Sequence, residues 1–189
     1  MLVFNTMLLK GASEDGTFSV AVFGVIYTMS TIPGAMFDGA GAAASTVISI
    51  LGGEKDWKGM LAVYHDGLRI VVAAGLVIVL FFVVGAKQIL VFFGLNDSAA
   101  LGTAVTAFRF YALSVALAGV NVVTTSFWQT IGKTKCASVL SLLRNFILML
   151  VTGFLLISRM GIVGLALVYV ISEAVCLLLV LAIQIFGKI

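Results

Sequence analysis

Charge is scarce in this sequence. Charged side chains make up 10% of its 189 residues, whereas hydrophobic residues make up 62%. Soluble globular domains carry about a quarter charged residues, and the mean hydropathy of this chain is +1.23. The sequence therefore predicts an integral membrane protein with lipid as its surroundings. The few basic residues form no patch with interleaved aromatics, so no nucleic-acid partner is expected.

Cysteine, histidine and proline are also rare, with two, one and one copies. Cys136 and Cys176 lie in or beside apolar runs, which argues against a disulfide framework or a metal site. With His65 as the only histidine, no Ser-His-Asp, Cys-His or paired-His arrangement supports catalysis. We therefore predict a protein that is not an enzyme, with no catalytic residues, no metal and no cofactor.

Long apolar runs fill most of the chain, and a membrane-spanning helix needs about 20 apolar residues. We predict one all-α, polytopic transmembrane bundle over residues 1–189. It consists of a helical stump and five helices, at approximately 1–9, 17–51, 68–84, 99–131, 136–158 and 162–186. The short aromatic piece 88–95 is predicted to lie at the membrane interface.

The run 17–51 contains the only proline of the chain. A straight helix of that length would reach about 50 Å, beyond a hydrocarbon core of about 30 Å. We therefore predict a kink, with Pro33 and Gly34 as the hinge. Tyr27, Gly34 and Asp38 share one helical face with several small residues. That face suits a neighbouring helix or a water-filled cleft.

Four polar residues on different predicted helices lie at a similar depth. Counted from the helix ends, Asp38, Asn121, Arg144 and Glu173 come out about 12–20 Å deep. Charges at that depth are costly in lipid, which predicts that the four groups face one another or a shared aqueous cavity. Together with Tyr27, and with Gln129 on the face of Asn121, they are our candidate substrate- and ion-binding residues.

Structural interpretations of the same residues remain open. Arg144 and Glu173 are also consistent with a buried pair that fixes helix register. Asp38 could take up a proton or attract a cation, or only satisfy a backbone amide freed near Pro33. Asn121 is equally typical of a residue that hydrogen-bonds between helices.

Lysine and arginine are distributed unevenly between the two ends of the predicted helices. One side carries Lys55, Lys58, Arg69, Lys133, Lys135 and Lys188, and the other carries Lys10, Lys87, Arg159 and, deeper in its helix, Arg109. Because short cytoplasmic loops are enriched in these residues, the bias predicts a cytoplasmic C-terminus.

Several motifs occur in a familiar order. They are FNTMLL, then IPGAMFDGAGAAASTVISILGG, then SFWQTIGKTK, then Arg144, and finally GIVGLALVYVISEA. In this order and spacing, the chain resembles the C-terminal half of a multidrug and toxin extrusion (MATE) family antiporter. The resemblance covers nearly all 189 residues.

The resemblance implies a twelve-helix fold of two six-helix bundles in the cell membrane. This chain would be a fragment that supplies the end of helix seven and helices eight to twelve, with the missing N-terminal six-helix bundle as its partner. Cationic or amphipathic compounds would be exported by alternating access in exchange for H⁺ or Na⁺. Asp38 and Glu173 match acidic positions of related bacterial members, whereas helix ten carries Asn121 where some branches have an acid.

Two other functions are compatible with the same sequence. One is a flippase of the same superfamily that moves lipid-linked oligosaccharides. Such a flippase would need a cavity rich in arginine and lysine to hold phosphates. The other is a membrane subunit that packs against partners without transporting anything, which would bind no cationic dye.

Overall fold

The computed structural model describes residues 2–11, 16–96 and 100–186. The sequence predicts a polar turn over 10–17, and its central residues 12–15 lie outside the described ranges, as does Lys188. The described residues form helices and short turns, without strands. The helices, in chain order, are α1 (Leu2–Gly11), α2 (Gly16–Gly53), α3 (Trp57–Phe92), α4 (Leu101–Thr130), α5 (Thr134–Leu142) and α6 (Leu148–Phe186), with a π-helical turn (Leu143–Ile147) between α5 and α6. The predicted all-α membrane bundle is confirmed.

Helix α6 is broken by Gly161, whose φ of 54° and ψ of −129° are not helical. A contact between the two arms of α6 shows that the chain folds back here. A Cβ atom at Gly164, in the second arm (162–186), would collide with the carbonyl oxygen of Leu156 in the first arm (148–160). Helix α5, the π turn and the first arm therefore make one pass, and the second arm makes another. Four helical stretches in the described chain, of which Thr134–Ile185 is the last, are long and apolar enough to cross a membrane.

Helix α3 is much longer than the predicted span 68–84. It begins at Trp57, where the Asp56 carboxylate accepts a hydrogen bond from the Gly59 amide at 3.0 Å, and it continues to Phe92. The piece 88–95 is therefore mostly the end of α3 and not a separate interfacial segment. The sequence suggested a shorter helix because charged residues flank the apolar run, but such residues remain solvated where a helix projects past the acyl chains.

Helix α2 continues through the predicted hinge. At about 1.5 Å per residue, its 38 residues exceed the thickness of the hydrocarbon core. Pro33 is buried inside the helix, and Gly34 follows without a break in the helix. A kink at this position stays a prediction.

Helix α4 lies at the centre of the bundle and contacts α2, α3 and α6. Small residues allow this close packing. A Cβ atom added to Gly75 of α3 would lie 3.2 Å from the Cα atom of Ala116 in α4. A Cβ atom added to Gly119 of α4 would lie 3.1–3.2 Å from the ring of Phe37 in α2. The contact of Phe37 with Gly119 sets how closely α2 approaches α4. Both cysteines are free.

Candidate functional site

A cavity of about 340 Å³ lies between α2, α4, the π turn and α6. Its lining combines small, aromatic and charged side chains. They are Ser30, Pro33, Gly34, Phe37 and Asp38 of α2; Tyr111, Ser114, Val115, Ala118 and Val122 of α4; Arg144 and Asn145 of the π turn; and Met149, Tyr169 and Glu173 of α6. Asp38, Arg144 and Glu173 thus line one space, as the shared depth of these residues predicted.

Glu173 is held in the cavity by several hydrogen bonds. Its Oε1 atom accepts a hydrogen bond from Nε of Arg144 at 2.8 Å, and its Oε2 atom accepts one from Nδ2 of Asn121 at 2.7 Å. Asn121 also donates to the backbone oxygen of Glu173 at 3.0 Å. Each carboxylate oxygen therefore has a donor, and hydrogen bonds of this charge-assisted kind are stronger than neutral ones.

The pair formed by Arg144 and Glu173 is largely shielded from solvent. The side chain of Arg144 is 18% exposed and that of Glu173 is 11% exposed. Arg144 lies in the five-residue π turn, a local widening of the helix that is frequent at functional sites. The turn presents Arg144 and Asn145 to the cavity together.

Asp38 has a different environment from Glu173. It is exposed, and it has no hydrogen-bond or ion-pair partner among the described residues. It lies next to Phe37, which is 2% exposed and packs on Gly119. The cavity therefore contains one paired carboxylate and one that is free to interact with a ligand.

Two tyrosines form an aromatic wall near the ion pair. The rings of Tyr111 and Tyr169 meet edge to face, with centroids 5.5 Å apart at an interplanar angle of 85°. Aromatic faces attract cations, and aromatic side chains line most ligand pockets. The cavity can therefore offer a cationic, partly apolar molecule both a carboxylate and an aromatic surface.

Three sequence candidates, Tyr27, Gln129 and Asn121, lie outside the cavity lining. Tyr27 is 47% exposed and packs against Phe23 at a centroid distance of 6.5 Å. Gln129 is exposed near the C-terminal end of α4. Asn121 does not line the cavity but reaches it through Glu173. The described residues contain no group of three or more His, Cys, Asp or Glu side chains that could hold a metal ion.

The sequence reasoning missed the two tyrosines. A usable signal was present, because Tyr169 precedes Glu173 by four residues and Tyr111 precedes Ser114 by three. Such spacings place side chains on one helical face. The shared face becomes informative only once Glu173 is known to point into a cavity.

A second polar cluster, also missed, links three helices away from the cavity. The hydroxyl of Tyr64 in α3 lies 3.0 Å from Oγ1 of Thr124 in α4, and Nε2 of Gln184 in α6 donates to it at 3.0 Å. Thr124 donates its own proton to the oxygen of Val120. The ring of Tyr64 stacks on Phe127 at 4.4 Å. These satisfied groups join α3, α4 and α6.

The family model named MatE matches residues 2–155. A crystal structure of a MATE protein in complex with MaD3S is 20% identical, with a TM-score of 0.85 over 98% of this chain and 41% of that one. The outward-facing structure of a multidrug resistance MATE family transporter of the MOP superfamily is 19% identical, with a TM-score of 0.83 over 100% of this chain and 43% of that one.

A third similar structure is a MOP superfamily transporter from Pyrococcus furiosus, described as having a binding pocket of reversed polarity. It is 19% identical, with a TM-score of 0.78 over 95% of this chain and 41% of that one. No curated protein sequence matches the chain. The chain thus spans less than half the length of the structures it resembles. Because the family model covers most of its residues, the chain belongs to the MatE family.

Proposed function

We propose that this chain forms one lobe of a secondary transporter that exports cationic or amphipathic compounds in exchange for H⁺ or Na⁺. The second lobe would be a complementary six-helix bundle, because the chain matches only 41–43% of the solved structures of the fold. The whole would reside in the cell membrane with the C-terminus in the cytoplasm.

The observation that carries this proposal is that two carboxylates, those of Asp38 and Glu173, line one cavity between transmembrane helices. Glu173 is neutralised by Arg144, whereas Asp38 is unpaired. Acidic groups within transmembrane helices are rare and mark ion and substrate pathways, because a charge placed at the depth of the acyl chains is costly. A cationic substrate would bind near Asp38 and the tyrosines, and a proton or sodium ion would compete for the same charge.

Exchange follows from this competition. Protonation of Asp38 removes the charge that attracts a cationic substrate, and protonation of Glu173 weakens its hydrogen bonds to Arg144 and Asn121. Protonation of Glu173 therefore changes the contacts that join α4, the π turn and α6 beside the cavity. Rocking of two lobes around a central site is the general form of alternating access in transporters with repeated bundles.

The proposal is tested by dye export in proteoliposomes that contain the chain together with the second bundle. We expect Asp38→Asn to reduce ethidium export at least tenfold and to abolish its dependence on an imposed pH or sodium gradient. Asp66→Asn is the matched control, because Asp66 is exposed and pairs with Arg69 outside the cavity. Undiminished export with normal gradient dependence in Asp38→Asn would remove Asp38 from the mechanism.

Binding to the chain alone separates the transporter from a packing subunit. We expect the purified chain in detergent to bind ethidium, and Asp38→Asn to weaken that binding. A chain that binds no cationic dye would favour the packing function. The flippase is less favoured, because a single arginine faces two carboxylates among the described residues of the cavity.

A further inference from the structure

A second pocket, of about 420 Å³, lies between the last turns of α3 and the first turns of α4. It contains two basic side chains from different helices and no acidic residue among its described lining. The lining residues are Lys87 of α3 and Leu101, Gly102, Val105, Thr106 and Arg109 of α4.

The pocket lies at the edge of the hydrocarbon core. The charge-free stretch of α3 runs from Ile70 to Ala86, so Lys87 is the first charge after about 25 Å of apolar helix. Arg109 directly precedes the charge-free stretch of α4, which lasts until Lys133. Because α3 and α4 are antiparallel neighbours, both cations end their stretches at the same face of the membrane, where lipid headgroups begin.

Neither cation has an acidic partner in the described part of the chain. Lys87 makes no hydrogen bond or ion pair there, and Arg109 donates only its Nε proton, to the oxygen of Val83 at 3.1 Å. That bond joins the exposed guanidinium group to α3 and leaves both terminal nitrogens without a partner among the described residues. The edge formed by the two terminal nitrogens can donate to two oxygens of a phosphate group.

We propose that this pocket binds the phosphate group of an anionic phospholipid. The headgroup lies between Lys87 and Arg109, and the acyl chains extend along the lipid-facing side of α3. Leu80, Phe81 and Val84 on α3 are 65%, 65% and 67% exposed, which provides an apolar surface next to the pocket. Lysine and arginine side chains bind phosphate oxygens through charge-assisted hydrogen bonds. The site lies apart from the cavity of Asp38 and Glu173 and does not depend on the transport function proposed above.

The bound lipid would connect α3 and α4. These helices are joined here by the bond from Arg109 to Val83. A phosphate shared by both cations adds a second connection and compensates two positive charges that have no acidic partner among the described residues. Lys87 and Arg109 would therefore bind one phosphate together, instead of each extending separately to the membrane surface.

The test is native mass spectrometry of the purified chain titrated with dioleoylphosphatidylglycerol, dioleoylphosphatidylcholine or inorganic phosphate. We expect one phosphatidylglycerol to bind more tightly than phosphatidylcholine. In Lys87→Gln/Arg109→Gln its affinity should fall on the order of tenfold, because each basic residue contributes to the attraction of an anionic headgroup. Arg159→Gln is the control, because Arg159 is an exposed cation on the same predicted face but outside the pocket.

Several results would overturn the proposal. The double variant could bind phosphatidylglycerol as the wild type does, or Arg159→Gln could lose affinity equally, which would indicate general attraction to anionic lipid. Equal binding of both lipids, or displacement of the lipid by inorganic phosphate, would also contradict a lipid headgroup site. If the double variant does not fold, Lys87→Gln alone gives the test, because Lys87 makes no bond within the described chain.

Discussion

Glu173 shows what a buried charge requires of its neighbours. Its two carboxylate oxygens are each held by one donor, from Arg144 and from Asn121, which belong to different helical segments. The attraction within such a pair largely offsets the cost of removing both charges from water. Removal of one partner leaves that cost without compensation.

The first prediction concerns this pair. We expect Arg144→Gln to lower the free energy of unfolding by about 3–5 kcal/mol, because it leaves the Glu173 carboxylate buried without its cation. Arg144→Gln/Glu173→Gln should be less destabilised than the sum of the single variants. The measurement is unfolding by SDS in mixed micelles, analysed as a double-mutant cycle.

The exposed pair of Arg69 and Asp66 is the control for that cycle. Their side chains are 80% and 64% exposed, so water screens their attraction. Arg69→Gln should leave the unfolding midpoint nearly unchanged. A similar loss of stability from Arg69→Gln and Arg144→Gln would show that burial of the Arg144–Glu173 pair does not increase the cost of breaking it.

The sequence predicted which residues lie at the depth of the cavity. A helix rises by a constant amount per residue, so counting from the helix ends placed Asp38, Arg144 and Glu173 at one level. The count does not give the direction of a side chain relative to other helices. Tyr27 shares a face with Asp38, but it lies nearly three turns away on a helix of which only residues 30–38 line the cavity.

Helices α3 and α4 approach each other closely at a glycine. The Cα atom of Ala116 leaves only 3.2 Å for a Cβ atom at Gly75, and a backbone atom cannot move aside without shifting its helix. Gly85 of the same helix has only the side chain of Ile89 nearby, at 3.6 Å. The two glycines therefore differ in what surrounds them and not in their secondary structure.

The second prediction compares the two positions. We expect Gly75→Val to destabilise the bundle by about 1–3 kcal/mol more than Gly85→Val, because only the first substitution forces α3 away from α4. Unfolding by SDS measures the difference, and the shared substitution cancels the effect of valine on helix propensity. Equal stability of the two variants would contradict the close approach seen at Ala116.

Element boundaries were less predictable than element identity. The apolar runs indicated the helices, but they did not indicate that α3 extends past the acyl chains at both ends, from Trp57 to Phe92. Hydropathy reports the part of a helix that lies in lipid, whereas hydrogen bonding decides where the helix ends. The π turn around Arg144 had no sequence signal of its own, because it depends on the packing of the surrounding segments.

For the molecule as a whole, the order of weak motifs was more informative than any one of them. The resemblance to the C-terminal half of a MATE protein is confirmed by the family match over residues 2–155 and by structures of which about two-fifths is covered. Composition and hydropathy alone would have given only a membrane bundle. The polarity of the bundle in the membrane rests on the distribution of basic residues.

The third prediction tests that polarity. We expect a green fluorescent protein fused at the C-terminus to fluoresce and an alkaline phosphatase fused there to be inactive, because positive charge favours a cytoplasmic end. Fusions after Asn96, in the connection that follows α3, should behave in the opposite way. An active phosphatase at the C-terminus would show that the predicted topology is inverted.

The contact between Phe37 and Gly119 has an electrostatic consequence. The ring lies against a residue with no side chain, and the neighbouring Asp38 is therefore held at a spacing from α4 that a phenyl group determines. Repulsion between two negative charges weakens as they move apart. Because Asn121 of α4 also holds Glu173, the thickness of one aromatic ring helps to set how far apart the two acids lie, and with it how strongly the cavity attracts a positive ion.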